Sequence, residues 1–175
     1  IFGLGTGPSG MGMSDDEAIR LYKRAIELGV TYIDTAPGYD RAQNQLSRAL
    51  KGMRDGVFLT TKVPTADGEA FTNGIEDNLK TLKTDYVDLA YIHSVGKQDI
   101  DTLLADGGSL DALLKVKERG LARFIGFTAH NKPGNAARIL EACNELDAVM
   151  LAINFIDRHT YGFEERVLPL AAKQG

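Results

Sequence analysis

The chain is poor in the residues that build the commonest metal and redox sites. It has a single cysteine, Cys143, in 175 residues, which excludes an internal disulfide and any zinc or iron–sulfur site made from cysteine pairs. A reducing cytoplasm fits that scarcity. His130 and His159 have no partners at metal-ligand spacing, so no metal is expected. Positive charge is not in excess either. A net charge of −4 and a pI near 5.4 leave no basic face to neutralise phosphates, which argues against a nucleic-acid partner. No apolar run approaches the roughly 20 residues that cross a bilayer. The opening Ile1-Phe2-Gly3-Leu4-Gly5 lacks a basic segment leading into a signal-like core. The chain also starts without Met, inside an apolar segment, and is expected to be a piece of something longer.

What is present is a 43% hydrophobic, 25% charged composition, that of a globular domain with one core. Short β-branched runs alternate with longer amphipathic ones, as when each strand is followed by a crossover helix onto a parallel sheet. Six units are expected, with strands at Ile1 to Thr6, Thr31 to Thr35, Val57 to Val63, Tyr86 to His93, Phe124 to Thr128 and Ala148 to Phe155. Ser14-Asp15-Asp16-Glu17 reads as a capping box ahead of the helical spacing Ile19, Tyr22, Ile26, and Gly29 ends that helix. Ser109 with Leu110, Leu113 and Leu114 repeats the pattern, and Pro133 opens a further helix. Helices near residues 40 to 53, 70 to 84 and 163 to 174 complete the set, with Ser94 to Gly108 as the longest loop. No linker divides residues 1–175, so one domain is expected. A doubly wound sheet and a closed barrel share this alternation, and periodicity does not separate them.

Asp34, Lys62 and His93 each fall at the carboxyl end of a predicted strand, and Tyr39 follows Asp34 in the next loop. Parallel α/β folds build their sites there. A lysine inside Val57-Phe58-Leu59-Thr60-Thr61-Lys62-Val63 is costly unless its ammonium meets a carboxylate or water, and Asp34 is the obvious partner. Tyr39 beside that ammonium could act as a general acid, its pKa lowered from about 10. His93 could orient a substrate oxygen. Singly, each residue is more readily a structural ion pair or a satisfied rim residue; together they form a proton-delivery device for a carbonyl whose carbon receives hydride.

Asp34-Thr35-Ala36-Pro37-Gly38-Tyr39, Thr60-Thr61-Lys62-Val63 and Tyr91-Ile92-His93 resemble, in order and spacing, the signatures of the aldo-keto reductase family. Gly3-Leu4-Gly5-Thr6, the text from Ile75 to Leu82 leading to Asp85-Tyr86-Val87-Asp88-Leu89, and Ile125-Gly126-Phe127-Thr128 extend the resemblance over essentially the whole chain. It implies a (β/α)8 TIM barrel, here with about six βα units and the last two missing. It further implies that NADPH lies across the strand ends and that an aldehyde or ketone is reduced to an alcohol. In that scheme Tyr39 donates the proton, Lys62 and Asp34 lower its pKa, and His93 positions the carbonyl.

The same resemblance implies that Gly5, Thr6, Asp34 and Thr128 lie along the nicotinamide. Ala129 stands where an Asn often follows the family's Ser, and Met150 where a Gln commonly sits under the nicotinamide; Asn154, later on the same strand, is the residue that could compensate. Without strands seven and eight, two sheet edges are unpaired and most of the phosphate clamp is absent. A non-catalytic, cofactor-sensing or structural subunit on the same fold is the alternative. Asp157-Arg158-His159 lines the substrate mouth or forms a loop ion pair, and Cys143 reads as a core residue.

Overall fold

Six short strands, each followed by at least one helix, appear in a computed structural model that describes residues 2–175; Ile1, the first residue of the predicted first strand, lies outside the described residues. In chain order they are β1 (Gly3–Gly5), α1 (Gly7–Gly12), α2 (Asp15–Glu27), β2 (Tyr32–Asp34), α3 (Ala42–Ala49), β3 (Phe58–Val63), α4 (Gly68–Leu82), β4 (Val87–Ile92), α5 (Ile100–Leu104) and α6 (Ser109–Glu118). They continue with β5 (Ala122–Ala129), α7 (Pro133–Ala142), β6 (Ala148–Leu151), α8 (Asp157–Thr160), α9 (Phe163–Arg166) and α10 (Leu168–Gln174). All neighbouring strands are parallel and the sheet order is β1-β2-β3-β4-β5-β6. Sequential order without reversal is the signature of a singly wound sheet, whereas a doubly wound sheet reverses at a switch point.

The sheet is curled. A cleft of about 510 Å³ is lined by Gly3 of β1 and Tyr32 of β2 together with Met150 and Leu151 of β6, so the first and last strands face one interior. Among the described residues, β1 pairs only with β2 and β6 only with β5. Strand side chains alternate across the sheet. One face, with Ile33, Leu59, Ala90, Ile92, Ile125 and Phe127, joins the helices in the core. The other carries a stack of Tyr32, Phe58 and Phe124, with ring centroids 5.6 and 5.9 Å apart, and above it the polar residues described below.

Helices supply the outer half of that core at helical spacing. Phe71, Ile75, Leu79 and Leu82 of α4 are all buried, each side chain contributing about 1.5–3 kcal/mol by leaving water. Asp67 caps α4 by accepting from the amide of Ala70 at 2.7 Å, and Lys83 ends it in a left-handed conformation. The capping box at α2 is present in both directions, worth about 1 kcal/mol.

Several boundaries differ from the expectation. Gly7–Gly12 forms a helix where no element was expected. The predicted loop Ser94 to Gly108 contains α5, started by Asp99, which accepts from the amides of Asp101 and Thr102. Gly108, not Ser109, occupies the cap position of α6. The last predicted helix is two short ones, with Pro169 in the first turn of the second. Strand β6 stops at Leu151, four residues before its expected end at Phe155. No helix of the described residues is long and apolar enough to cross a membrane.

Candidate active site

Register brings the polar residues together. Asp34 ends β2 and pairs with Thr60, two residues before Lys62 on β3, so period-two alternation puts all three on the interior face. Lys62 has a side chain only 2% exposed. Its Nζ donates to Asp34 Oδ1 at 2.5 Å, to the Thr35 carbonyl at 3.0 Å and to Tyr39 Oη at 3.4 Å, which accounts for all of the ammonium's protons. The second oxygen of Asp34 accepts from Thr60 Oγ1 at 3.0 Å. His93 follows β4, its amide donating to the Val63 carbonyl. The ring lies edge-on to Tyr39 with centroids 6.4 Å apart. Asp34, Tyr39, Lys62 and His93 therefore share one cluster.

The backbone around them is unusual. Asp40, directly after Tyr39, and Ser94, directly after His93, have φ of 50° and 54°. Non-glycine residues hold that conformation only where the surroundings over-determine it. Helix α1 is part of those surroundings. A Cβ on Gly10 would fall 2.1 Å from the Tyr39 carbonyl oxygen and 2.7 Å from Ala42 Cβ, and one on Gly7 would sit 3.7 Å from the Tyr39 ring. Ser9 of the same helix hydrogen-bonds the buried Tyr22 hydroxyl at 2.7 Å. This helix, which the sequence reading missed, seats Tyr39. Its one local signal was Pro8 in the first turn.

The expected cofactor-side residues are placed unevenly. Gly5 pairs with Asp34, and a Cβ there would meet nothing within 4 Å, so the interior before it is open. Thr6 is fully buried and directs both its amide and its hydroxyl to the Asp34 carbonyl, at 3.0 and 2.9 Å. Thr128 accepts from the Ser94 amide at 2.8 Å and keeps its own proton to donate. Met150 lies in register with Thr128 and lines the interior cleft. Asn154 does not sit on β6: it is exposed beyond the strand's end, and its Oδ1 accepts from the Ile156 amide at 2.9 Å. A side chain that bonds its own backbone two residues on favours a turn over a ladder, and this one lies in the turn that follows the strand. Asp157 is 2% exposed and accepts from the Glu164 amide, capping α9 instead of lining the mouth, while Arg158 pairs with Glu165. Cys143 is buried in the core.

The family model for the aldo/keto reductase family matches residues 1–175. The chain belongs to the aldo/keto reductase family. It is 34% identical over 165 residues to an aldo-keto reductase of Mycolicibacterium smegmatis, covering 91% of this chain and 53% of that one. It is 32% identical over 178 residues to a methylglyoxal reductase of Escherichia coli O157:H7, covering 99% and 62%. Its fold matches the holo form of an aldo-keto reductase from Bacillus halodurans with a TM-score of 0.84 and 26% identity, covering 99% of this chain and 58% of that one. The chain thus spans little more than half the length of these relatives.

In this aldo/keto reductase the electrostatics run partly against the sequence expectation. The Tyr39 phenol is pushed up from its ordinary value, by burial first and then by the charge of Asp34, and not down. Burial strips the phenolate of solvent, and the nearby Asp34 charge opposes it further. Lys62 itself is lowered by burial, with Asp34 opposing. His93 is lowered to about 4 by burial, then by Lys62 and His130, so at neutral pH it is an uncharged imidazole able to donate from one nitrogen. The cluster therefore presents a protonated phenol and a neutral imidazole side by side.

Proposed function

We propose that this chain carries the reducing site of an NADPH-dependent oxidoreductase that converts a small aldehyde or ketone to an alcohol, with Tyr39 as proton donor. The observation that carries the reading is Lys62, whose ammonium is held by Asp34 and Thr35 and whose remaining proton points at the Tyr39 hydroxyl. In this scheme the His93 imidazole donates a hydrogen bond to the substrate oxygen and fixes its direction. Tyr39 gives its proton to that oxygen as negative charge develops there, and Lys62 stabilises the phenolate left behind. The upward-shifted phenol suits this role, because it stays protonated until an alkoxide-like oxygen takes the proton.

The residues fit the nicotinamide end of the cofactor. Open space at Gly5, the free proton of Thr128 and the apolar wall of Met150 would hold a flat ring carrying one polar amide, with Thr6 fixing Asp34 behind it. When bound, the cofactor supplies the hydride. On the same reading β1 to β6 are six units of an eight-unit (β/α) barrel formed by one domain, and the substrate partner is a small carbonyl compound, as the name of the Escherichia coli relative suggests. Ala129 and Met150, apolar where the family resemblance implies an Asn and a Gln, favour a second reading, a cofactor-sensing or structural subunit without turnover.

NADPH fluorescence titration followed by aldehyde reduction tests both. Saturable binding is expected in the wild type and in Tyr39→Phe, with turnover in the variant down about 10²–10⁴-fold. Unchanged turnover in the variant would remove Tyr39 as donor, and binding without turnover in the wild type would establish the sensing role.

A further inference from the structure

The end of β5 presents a histidine that the reduction above leaves unused. His130 is exposed, and its ring centroid lies 6.4 Å from that of His93 at an interplanar angle of 60°. Among the described residues, no protein group hydrogen-bonds a ring nitrogen of either. Hydrogen bonds of roughly 2.8 Å to two oxygens roughly 2.8 Å apart bridge up to about 8 Å between nitrogens, and rings at this separation can present nitrogens within that span.

The spacing is fixed by interlocked loops. The Ser94 amide donates to Thr128 Oγ1 at 2.8 Å, Asn135 Nδ2 to the Val95 carbonyl at 3.0 Å, and Gln98 Nε2 to the His93 carbonyl at 3.3 Å. A Cβ on Gly96 would fall 1.9 Å from Asn131 Oδ1, so the loop after β4 touches the loop after β5 through bare backbone. Ser94 and Lys132 both hold left-handed φ, 54° and 46°. Each histidine is thereby seated next to backbone that the opposite loop locks. The carboxylate that bears on His93 is Asp34, and Lys62 occupies it.

We propose that His130 is a specificity residue: while His93 holds the reacting oxygen, His130 takes a second oxygen on the adjacent carbon, so that the site favours hydroxyketones, hydroxyaldehydes and 1,2-dicarbonyls over simple carbonyls. This rests on the carbonyl-reductase reading. Hydroxyacetone and 2-butanone, which exchange a hydroxyl for a methyl group, measure the preference. His130→Phe is expected to lower kcat/KM for hydroxyacetone about tenfold, the effect of one lost hydrogen bond, and to leave 2-butanone within about twofold; His130→Gln restores part of the loss. Equal effects on both ketones, or none on either, would overturn the proposal. A cofactor-free arm is independent of turnover. Imidazole resonances of both His93 and His130 should shift saturably as hydroxyacetone is added, with binding weakened in His130→Phe, and an unmoved His130 resonance would overturn it. A wild type that reduces neither ketone sinks the reductase reading alone, and the resonance titration then decides His130 by itself.

Discussion

Two carboxylates are held against cations at opposite ends of the same sheet, and they differ in what else their partners touch. Asp34 stands at the carboxyl end of β2. Asp88 stands near the amino end of β4, 2% exposed; it accepts from the Leu59 amide at 2.9 Å and from Arg123 at 3.0 Å, and is ion-paired with Arg54 at 2.9 Å. The guanidinium of Arg54 also donates to the Val57 and Tyr86 carbonyls and to Thr84, and it stacks 4.5 Å over the Tyr86 ring. Lys62 by contrast directs one of its three protons along a long, 3.4 Å contact to the Tyr39 phenol, itself a titratable group. A cation whose further contacts are neutral carbonyls and hydroxyls ties strands together; one that also reaches a phenol can follow a change of charge. This is the division expected of parallel βα folds, with stability at the amino ends of the strands and chemistry at the carboxyl ends.

The difference can be broken from either side. Asp88→Ala leaves a largely buried guanidinium without its carboxylate, and urea unfolding is expected to show a loss of about 3–5 kcal/mol. Activity per folded molecule should stay within about twofold. A loss under about 1 kcal/mol would mean that the triad is a bystander. The double variant Asp34→Asn/Lys62→Met should behave in the opposite way. Replacing a buried pair by neutral side chains of similar size is often close to neutral for folding, so stability within about 1–2 kcal/mol of wild type is expected while aldehyde reduction falls about 10²–10³-fold. Retained reduction in the double variant would remove the pair from the mechanism and leave the two carboxylates equivalent.

The functional end was the more legible of the two. Lys62 and Asp34 stand out because a charge inside an apolar strand has to be explained, and chain order placed Tyr39 and His93 beside them. Asp88 also sits in an apolar run, but its partners Arg54 and Arg123 come from a turn before β3 and from β5, a meeting that only the folded sheet creates. Helix α1 stayed invisible for a related reason. Gly-Pro-Ser-Gly-Met-Gly reads as a loop by propensity, yet Gly10 is what lets the helix lie against the Tyr39 carbonyl, so packing overrides the local preference. At β6 the error ran the other way. Ala152, Ile153 and Phe155 continue the apolar text of the strand, and the stop is marked by the Ile153 amide turning back to the Leu151 carbonyl and by the Asn154 turn onto the Ile156 amide. Asp99 before α5 was a readable cap that the length of the apparent loop obscured. The sign of the Tyr39 shift could not be read at all, since it is set first by how deeply the folded chain buries the phenol and then by the charge of Asp34.

His93 sharpens the contrast through pH, because it stands at the functional end and the fold withholds a proton from it. Its folded value of about 4, set by burial and then by Lys62 and His130, lies below the ordinary 6.5 of the unfolded chain. Above pH 6.5 the ring is neutral in both states and contributes nothing to pH dependence. As pH falls from about 6.5 towards about 4 the unfolded chain binds a proton that the folded chain refuses, so stability declines through that window and the loss is complete below it. Solvent screening of a partly exposed ring limits the effect to about 1–2 kcal/mol. Urea unfolding of wild type and His93→Gln at several pH values between 7 and 4 isolates it, since the carboxylates that titrate in the same range are common to both proteins. The difference between the two curves is expected to change by that amount, in favour of the variant at low pH. A flat difference would mean that the ring takes its proton in the folded chain as readily as in the unfolded one, and that a neutral His93 beside Tyr39 at acid pH has to be given up.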